Sequence, residues 1–308
     1  MFFLKEVSII IVNYNTKELL KNCILSIINN TKNISYEIIV SDNNSDDGSI
    51  EMLESNFKDV IIIKNTKNLG FGKANNEALK YAKGKYIFYL NSDTILQNNS
   101  VKIFFDYFEL KGDENLGAIG CNLRHNDNKV CFSYGNFGTS KGQIKFLIKL
   151  LIETYYLTLL KFLFNKNFPI TTYFNHYSFF EGNVDYICGA NLFLKNDKNA
   201  LYDPYYFLYY EEVDLQFNFK MKNLDCRIIN GPKIIHLEGG SEKKNKYKVL
   251  SLGDTSQIHL LLSSTYFYKK NFHSSISCII MKILIMIIWL NPFIIKKTKK
   301  YFSTLLKI

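Results

Sequence analysis

Asn91-Ser92-Asp93 closes a short apolar run, Tyr86 to Leu90, inside the stretch NLGFGKANNEALKYAKGKYIFYLNSDT that runs from Asn68 to Thr94. A carboxylate at the C-terminal end of a buried strand stands where open α/β sheets bind their ligands. Asp93 is therefore placed to hold a metal-bound phosphate. Much later, FLYYEEVDLQFNFK sets Glu211, Glu212 and Asp214 after a run of aromatics. If a helix begins at Glu211, then Glu211 and Asp214 share one face and Glu212 turns aside. Acids at an aromatic pocket wall can take a proton from a hydroxyl group. His236 follows Ile234-Ile235 and precedes Gly239-Gly240-Ser241, and its imidazole is a ligand that manganese accepts more readily than magnesium. Each has a plainer role open to it: a polar turn at 91–93, compensation of a helix dipole by the glutamates, a structural histidine after a strand.

The elements that must position these groups are legible as alternating patterns. Val7 to Val12 is a continuous apolar run bounded by Asn13-Tyr14-Asn15, a strand and its turn. Thr16 can cap a helix carrying Leu19, Leu20, Cys23, Ile24, Ile27 and Ile28 on one face. Strands over Glu37–Val40 and Val60–Ile63 flank a helix that starts near Ser49. This alternation implies parallel pairing with right-handed crossovers. In the 68–94 stretch, Ala74, Ala78, Leu79 and Ala82 recur at helical spacing, with Gly84 in the place of a C-cap. Asp42, ending the second strand, can accept from the N3–H of a pyrimidine base or close an Asx-type turn with Asn43-Asn44. Gly70 and Gly72 make a lone G-x-G. The P-loop pattern and the G-x-G-x-x-G fingerprint are both absent.

Taken in order, VSIIIVNYN (7–15), EIIVSDNNSDDGS (37–49), the 68–94 stretch, FLYYEEVDL (207–215) and IIHLEGGS (234–241) resemble the family 2 glycosyltransferases of GT-A fold. The resemblance is especially to bacterial rhamnosyltransferase-like members that build surface polysaccharides. It implies an α/β fold with a Rossmann-like, mostly parallel central sheet flanked by helices; the basic, apolar pattern of the residues beyond it adds a helical C-terminal extension. It implies a catalytic domain over 1–241, with about 1–125 as the nucleotide-sugar half and 126–241 as the acceptor half. By resemblance, Tyr14, Asp42 and Asn44 form the base and ribose pocket, and Asn68, Asn75 and Asn91 line the nucleotide-sugar site. Asp93 and His236 are the implied ligands of Mn2+ or Mg2+. The family's second acid falls on Glu212 as general base, with Glu211 as the alternative. Cys188-Gly189-Ala190 is similar to a segment lining the acceptor side. The expected reaction is inverting transfer from a dTDP- or UDP-sugar to a hydroxyl of a glycan or lipid-linked acceptor. A catalytically silent scaffold of this fold would have no use for intact Asp93, Glu212 and His236. A nucleotidyltransferase would need a Gly-rich, basic loop where Asn13-Tyr14-Asn15 stands.

Charge is distributed unevenly. Residues 1–240 hold 26 basic and 26 acidic groups, whereas 241–308 hold 12 and 2, so the net +10 belongs to the tail. Such asymmetry points to an acidic partner surface. The tail has no arginine and no nucleic-acid motif, which favours an anionic membrane over nucleic acid. Residues 276–295, ISCIIMKILIMIIWLNPFII, are just long enough to span a bilayer. Lys282 and Asn291-Pro292 interrupt them, and lysines flank both ends, a pattern better suited to a helix lying in the membrane plane. A packing helix is the third option. The same alternatives, core helix or interfacial helix, apply to the insert at 143–164. The six cysteines show no metal or disulfide spacing, and Met1-Phe2-Phe3-Leu4 is no signal-peptide core. The expectation is a cytosolic enzyme held peripherally on the inner face of the plasma membrane by residues 242–308, a single span being the other arrangement.

Overall fold

The computed structural model describes residues 5–111, 114–165, 178–237 and 252–308. They belong to two compact units, one of residues 1–137, 177–207 and 211–242, the other of 138–176, 208–210 and 243–308.

The first unit is a doubly covered sheet. Its first half runs β1 (Lys5–Asn13), α1 (Lys17–Asn30), β2 (Tyr36–Asp42), α2 (Ser49–Asn56), β3 (Ile61–Lys64), α3 (Phe71–Leu79) and β4 (Gly84–Asn91). After the short β5 (Thr94–Leu96) come α4 (Ser100–Lys111), β6 (Leu116–Cys121) and β7 (Tyr134–Gly135). The unit is completed by β8 (Gly182–Val184), β9 (Tyr186–Ile187), β10 (Asn191–Lys195), α6 (Glu211–Met221), β11 (Asp225–Ile229) and β12 (Ile234–His236). Eight strands form one sheet in the order β3-β2-β1-β4-β10-β6-β11-β8. β1 pairs in parallel with β2 and β4, while β10 runs antiparallel between β4 and β6.

Strand periodicity divides the β1 side chains between two faces. Val7, Ile9 and Ile11 pack in a core with Leu20, Ile24, Met52 and Phe104; Ile10 joins Ala78, Tyr202, Leu215 and Phe219 in another. A strand buried on both faces must be apolar throughout, which is why this run shows no alternation. Each such side chain contributes about 1.5–3 kcal/mol of transfer free energy.

Two local expectations change. Thr16 precedes α1 but its hydroxyl makes no cap bond. It donates instead to Asn13 Oδ1 at 2.6 Å, and Asp47 Oδ2 accepts from the Lys17 N–H at 2.8 Å. Gly84 is not a helix cap: α3 ends at Leu79, and Gly84 opens β4. A Cβ there would stand 2.4 Å from the Ser8 backbone nitrogen, so glycine is required for close strand approach.

In the second unit, α5 (Ser140–Phe164) packs against a later helix, α8 (Ser275–Trp289), which also packs against α7 (Thr255–Phe272). Two short helices, α9 (Ile295–Thr298) and α10 (Phe302–Lys307), complete it. The insert over 143–164 thus shares a unit with the C-terminal region. The tyrosine hydroxyl of Tyr155 donates to the Ile287 carbonyl at 2.9 Å, and Asn291 Nδ2 donates to Thr158 Oγ1 at 2.6 Å. The apolar run over 276–295 is not one continuous helix. α8 ends at Trp289, the Asn291 Oδ1 accepts from Phe293 N–H, and the chain turns. Among the described residues no helix is long and apolar enough to cross a membrane.

Candidate active site

Parallel register brings three polar residues to one edge of the sheet. Asn13 stands beside Asp42, and Val12 beside Asn91, at the C-terminal ends of β1, β2 and β4. Because β10 is reversed, it begins at this same edge, with Asn191 opposite Leu90. The chain end of one strand direction and the chain start of the other therefore share a rim.

Asp42 is almost fully buried and heavily bonded. Its Oδ1 accepts from Asn13 Nδ2 at 2.7 Å and from Ser45 Oγ at 2.6 Å; its Oδ2 accepts from the Ser45 N–H at 2.9 Å. A carboxylate offers about four acceptor positions, so one on Oδ2 remains for a ligand N–H. The loop is tied down further by Asn15 N–H to Ser45 Oγ at 3.0 Å. Tyr14, 44% exposed, and Asn44, at a positive φ of 63°, stand on its outer side.

The next residue, Asn43, is a clamp that sequence reasoning missed. Its amide nitrogen donates to the Gly70 carbonyl at 3.0 Å, while its oxygen accepts from Asn65 Nδ2 at 3.2 Å and Leu69 N–H at 3.3 Å. The Asn68 oxygen accepts from the Gly70 N–H at 2.9 Å, shaping the turn. Gly70 has φ +83°, and a Cβ on it would lie 2.1 Å from the Phe207 carbonyl oxygen. That oxygen accepts from the Phe71 N–H at 2.9 Å. The G-x-G thus serves close backbone approach in front of α3. Asn75 is buried within α3 and donates to the Phe71 carbonyl at 3.1 Å, an intrahelical contact.

Asp93 and His236 meet. Asp93 Oδ1 lies 3.2 Å from His236 Nε2, and both side chains keep a small exposed fraction. Strand pairing produces this approach: β12 runs antiparallel to β5 with His236 opposite Thr94, and the Leu237 N–H donates to the Asp93 carbonyl at 2.9 Å. Asn91 Oδ1 and His236 Nδ1 are buried without a hydrogen-bond partner among the described residues. Gly239-Gly240-Ser241 lie outside those residues. Two cis ligands of an octahedral ion at about 2.1 Å would stand about 3.0 Å apart, close to the observed separation. No group of three or more His, Cys, Asp and Glu converges among the described residues. The donor set therefore suits an ion that takes its remaining ligands from substrate phosphates and water.

The acids on α6 separate as their spacing requires. Glu211 is 3% exposed and Asp214 fully buried, whereas Glu212 keeps some exposure. The Glu212 carboxyl is pushed up to about 7 by burial. Its Cβ would stand 3.5 Å from a Cβ built on Gly189, so the absent side chain leaves room beside the acid. The adjoining Ala190 carbonyl accepts from the Asn91 N–H at 3.3 Å. One short segment, Gly189–Asn191, thereby links the α6 acid to β4, the strand that ends in Asn91 just before Asp93. Tyr202 belongs here too, unforeseen from sequence: its phenol is held well above the usual tyrosine range by burial, then by Tyr89, Glu212 and Glu211. Cys188 precedes this segment, its N–H bonded to the Ser133 carbonyl at 2.9 Å. At the helix start, Tyr209 and Tyr210 both have positive φ, 66° and 68°, a conformation bulky side chains rarely adopt.

Comparison with known proteins bears on family and fold. The family model described as "Glycosyl transferase family 2" matches residues 8–181. A poly(ribitol-phosphate) beta-glucosyltransferase of Bacillus spizizenii is 32% identical over 120 residues, 37% of this chain and 19% of that protein. A UDP-Glc:alpha-D-GlcNAc-diphosphoundecaprenol beta-1,3-glucosyltransferase of Escherichia coli is 40% identical over 138 residues, 44% of this chain and 47% of that protein. The matched part thus spans less than half the length of these curated relatives. Among solved structures, a mannosyltransferase from Pyrobaculum calidifontis in complex with GDP-Man and Mn2+ superposes with a TM-score of 0.56 at 12% identity, covering 98% of this chain and 75% of that one. GalNAc-T7 with UDP, GalNAc and Mn2+ gives 0.55 at 14% identity, covering 99% and 56%. At these identities the likeness is one of fold.

Proposed function

The chain belongs to glycosyl transferase family 2, and from that premise we propose that it moves a sugar from a nucleoside-diphosphate donor to an acceptor hydroxyl with inversion. The observation that carries the reading is the approach of Asp93 to His236, together with one α6 acid, Glu212, that keeps exposure next to Gly189. In this reading the Asp42 loop receives the base and ribose, with Tyr14 and Asn44 on its outer side. Asn68, Gly70 and Asn43 fix the loop that faces the donor.

Asp93 and His236 would hold a divalent ion, manganese or magnesium, whose contribution is Lewis-acid neutralisation of the departing diphosphate. Glu212 acts as general base. Its carboxylate takes the proton of the acceptor hydroxyl as that oxygen bonds to the anomeric carbon, and the bond from that carbon to the phosphate oxygen breaks with its electron pair leaving on the diphosphate. A carboxyl whose pKa stands near 7 is well matched to this task at neutral pH. One displacement, with no covalent sugar–enzyme stage, inverts the anomeric centre.

The E. coli relative's name specifies UDP-Glc and a diphosphoundecaprenol-linked acceptor. That supports a UDP-hexose and a lipid-linked glycan here, with dTDP-rhamnose as the other donor to test, in surface polysaccharide synthesis. The basic C-terminal region would hold the enzyme at the cytoplasmic membrane face beside such an acceptor. The test is to incubate purified protein with a panel of UDP-, dTDP- and GDP-sugars, with Mn2+, Mg2+ or chelator, and to measure donor hydrolysis and transfer. Metal-dependent consumption of one donor is expected; no binding of any nucleotide sugar would refute the reading.

A further inference from the structure

Within the second unit, α5 and α8 are apolar on two opposite sides. On α5 the buried positions are Leu147, Leu150, Thr154 and Leu157. On α8 they are Cys278, Met281, Ile285, Ile288 and Trp289. The outward faces are apolar as well. Ile152, Leu159 and Phe162 are 66%, 54% and 81% exposed on α5, and Ile276, Ile279 and Ile283 are 74%, 55% and 47% exposed on α8. At about 100° per residue, each outward set falls in one sector opposite the buried stripe of its own helix. A water-facing helix carries polar residues there.

The two helices are joined through Tyr155 and Thr158, which lie on the flank of α5 between its buried stripe and its outward face. Tyr155 to Ile287, Asn291 to Thr158, and the Lys161 ammonium 4.3 Å from the centre of the Phe293 ring fix the pair. Cations border the surface: Lys145 and Lys149 lie exposed beside Ile148 and Ile152, and Lys296, Lys299 and Lys300 follow α8. Neither helix is long and apolar enough to cross a bilayer.

We infer that the outer faces of α5 and α8 together insert into the headgroup–acyl boundary of an anionic bilayer, as a two-helix monotopic contact rather than a basic tail alone. A second copy of the chain would also bury apolar surface, but it would bring the same excess of lysines, against which Glu153 beside Ile152 offers a single acid. An anionic lipid surface supplies both an apolar layer and the opposite sign. The inference deepens the membrane attachment proposed above and is independent of the sugar chemistry, since it is read without donor.

The test uses the full chain and vesicles of phosphatidylglycerol with phosphatidylcholine, against phosphatidylcholine alone. Wild type should sediment with the anionic vesicles. The pair Ile152→Glu, Phe162→Glu and the pair Ile279→Glu, Ile283→Glu should each weaken binding by about tenfold or more. Both pairs replace exposed side chains, so nucleotide binding and thermal midpoint should stay at wild-type values. Phe162→Trp gives a second readout that no charge introduction can confound: its fluorescence should be quenched by lipids brominated near the headgroup. Three outcomes would overturn the inference. One is absence of vesicle binding by wild type. Another is wild-type binding by both glutamate pairs while Lys296→Gln, Lys299→Gln, Lys300→Gln abolishes it, which would leave attachment by charge alone. The last is an unquenched Phe162→Trp in a chain that the glutamate pairs convert from dimer to monomer, which would make the surface a contact between copies.

Discussion

Asp93 Oδ1 and His236 Nε2 stand 3.2 Å apart although 142 residues of the chain lie between them. A three-residue antiparallel pairing, Thr94 to Leu96 with Ile234 to His236, is what closes the gap. The arrangement is local in space and remote in sequence, and it makes two residues answerable to one measurement.

That measurement is metal binding. Asp93→Ala and His236→Ala should each weaken Mn2+ binding in the presence of UDP, read by calorimetry, and Asp93→Ala should lower kcat by roughly a hundredfold or more, as several kcal/mol of charge stabilisation implies. Chelator should abolish wild-type turnover and Mn2+ restore it. Full turnover in chelator would remove the metal from the proposal.

Glu212→Gln should preserve donor affinity and lower kcat by ~10²–10⁴-fold. Glu211→Gln should be milder on rate, because Glu211 is buried and Glu212 keeps exposure. The wild-type rate should climb through a pH of about 7, where burial places the Glu212 carboxyl, and level off above it. If Glu211→Gln were the more damaging of the two, the base would be Glu211.

The same carboxyl makes a prediction about stability with a definite sign. Its folded-state pKa is raised from 4.5 to about 7, so the native state holds a proton that the unfolded chain has released between those values. Stability therefore falls as pH rises from 4.5 to 7, by up to about 3 kcal/mol for a shift of this size. Glu212→Gln should unfold at a higher temperature than wild type at pH 8 and at nearly the same temperature at pH 4. Equal midpoints at pH 8 would show that burial does not penalise the carboxylate.

Gly70→Ala should unfold the donor loop. An alanine at φ +83° costs about 1–3 kcal/mol in backbone strain, and its Cβ cannot stand 2.1 Å from the Phe207 oxygen. Loss of nucleotide binding with a lowered thermal midpoint is expected. A fully active Gly70→Ala would mean that the 68–71 turn tolerates rearrangement.

Asn43→Ala removes the amide that joins Asn65, Leu69 and Gly70. Leaving those buried groups unbonded should cost about 1–3 kcal/mol and raise the KM for donor more than it lowers kcat. An unchanged KM would assign the clamp to stability alone.

What the sequence disclosed was local. Apolar runs ending in Asn13, Asp42 and Asn91 could be read as buried strands whose C-terminal ends gather ligand groups, and register confirms that they meet at one edge. The Glu211–Asp214 face and the separate Glu212 followed from helical geometry alone. The hidden features depend on partners distant in sequence. Nothing in Asn43 announces that its amide grips residues 65, 69 and 70, or that Gly84 is glycine because Ser8 passes close by. Thr16 looks like a helix cap, but a shorter path to Asn13 wins its hydroxyl, and Asp47 takes over the Lys17 N–H. Tyr202 gave no signal at all, since an aromatic in an aromatic-rich chain is unremarked.

The reversed strand β10 has a bearing on how the protein is made. Among the described residues it is the one strand that joins the β3-β2-β1-β4 group to the β6-β11-β8 group of the main sheet. A ribosome that has released only the first half of the chain has supplied every partner of β1 and β2, yet the apolar edge of β4 still waits for Asn191 to Lys195. Until they emerge, Tyr86–Leu90 offers an open template of the kind that recruits other chains. Truncated products ending short of β10 should therefore be the sticky ones, and the segment 191–195 the closing stitch of synthesis.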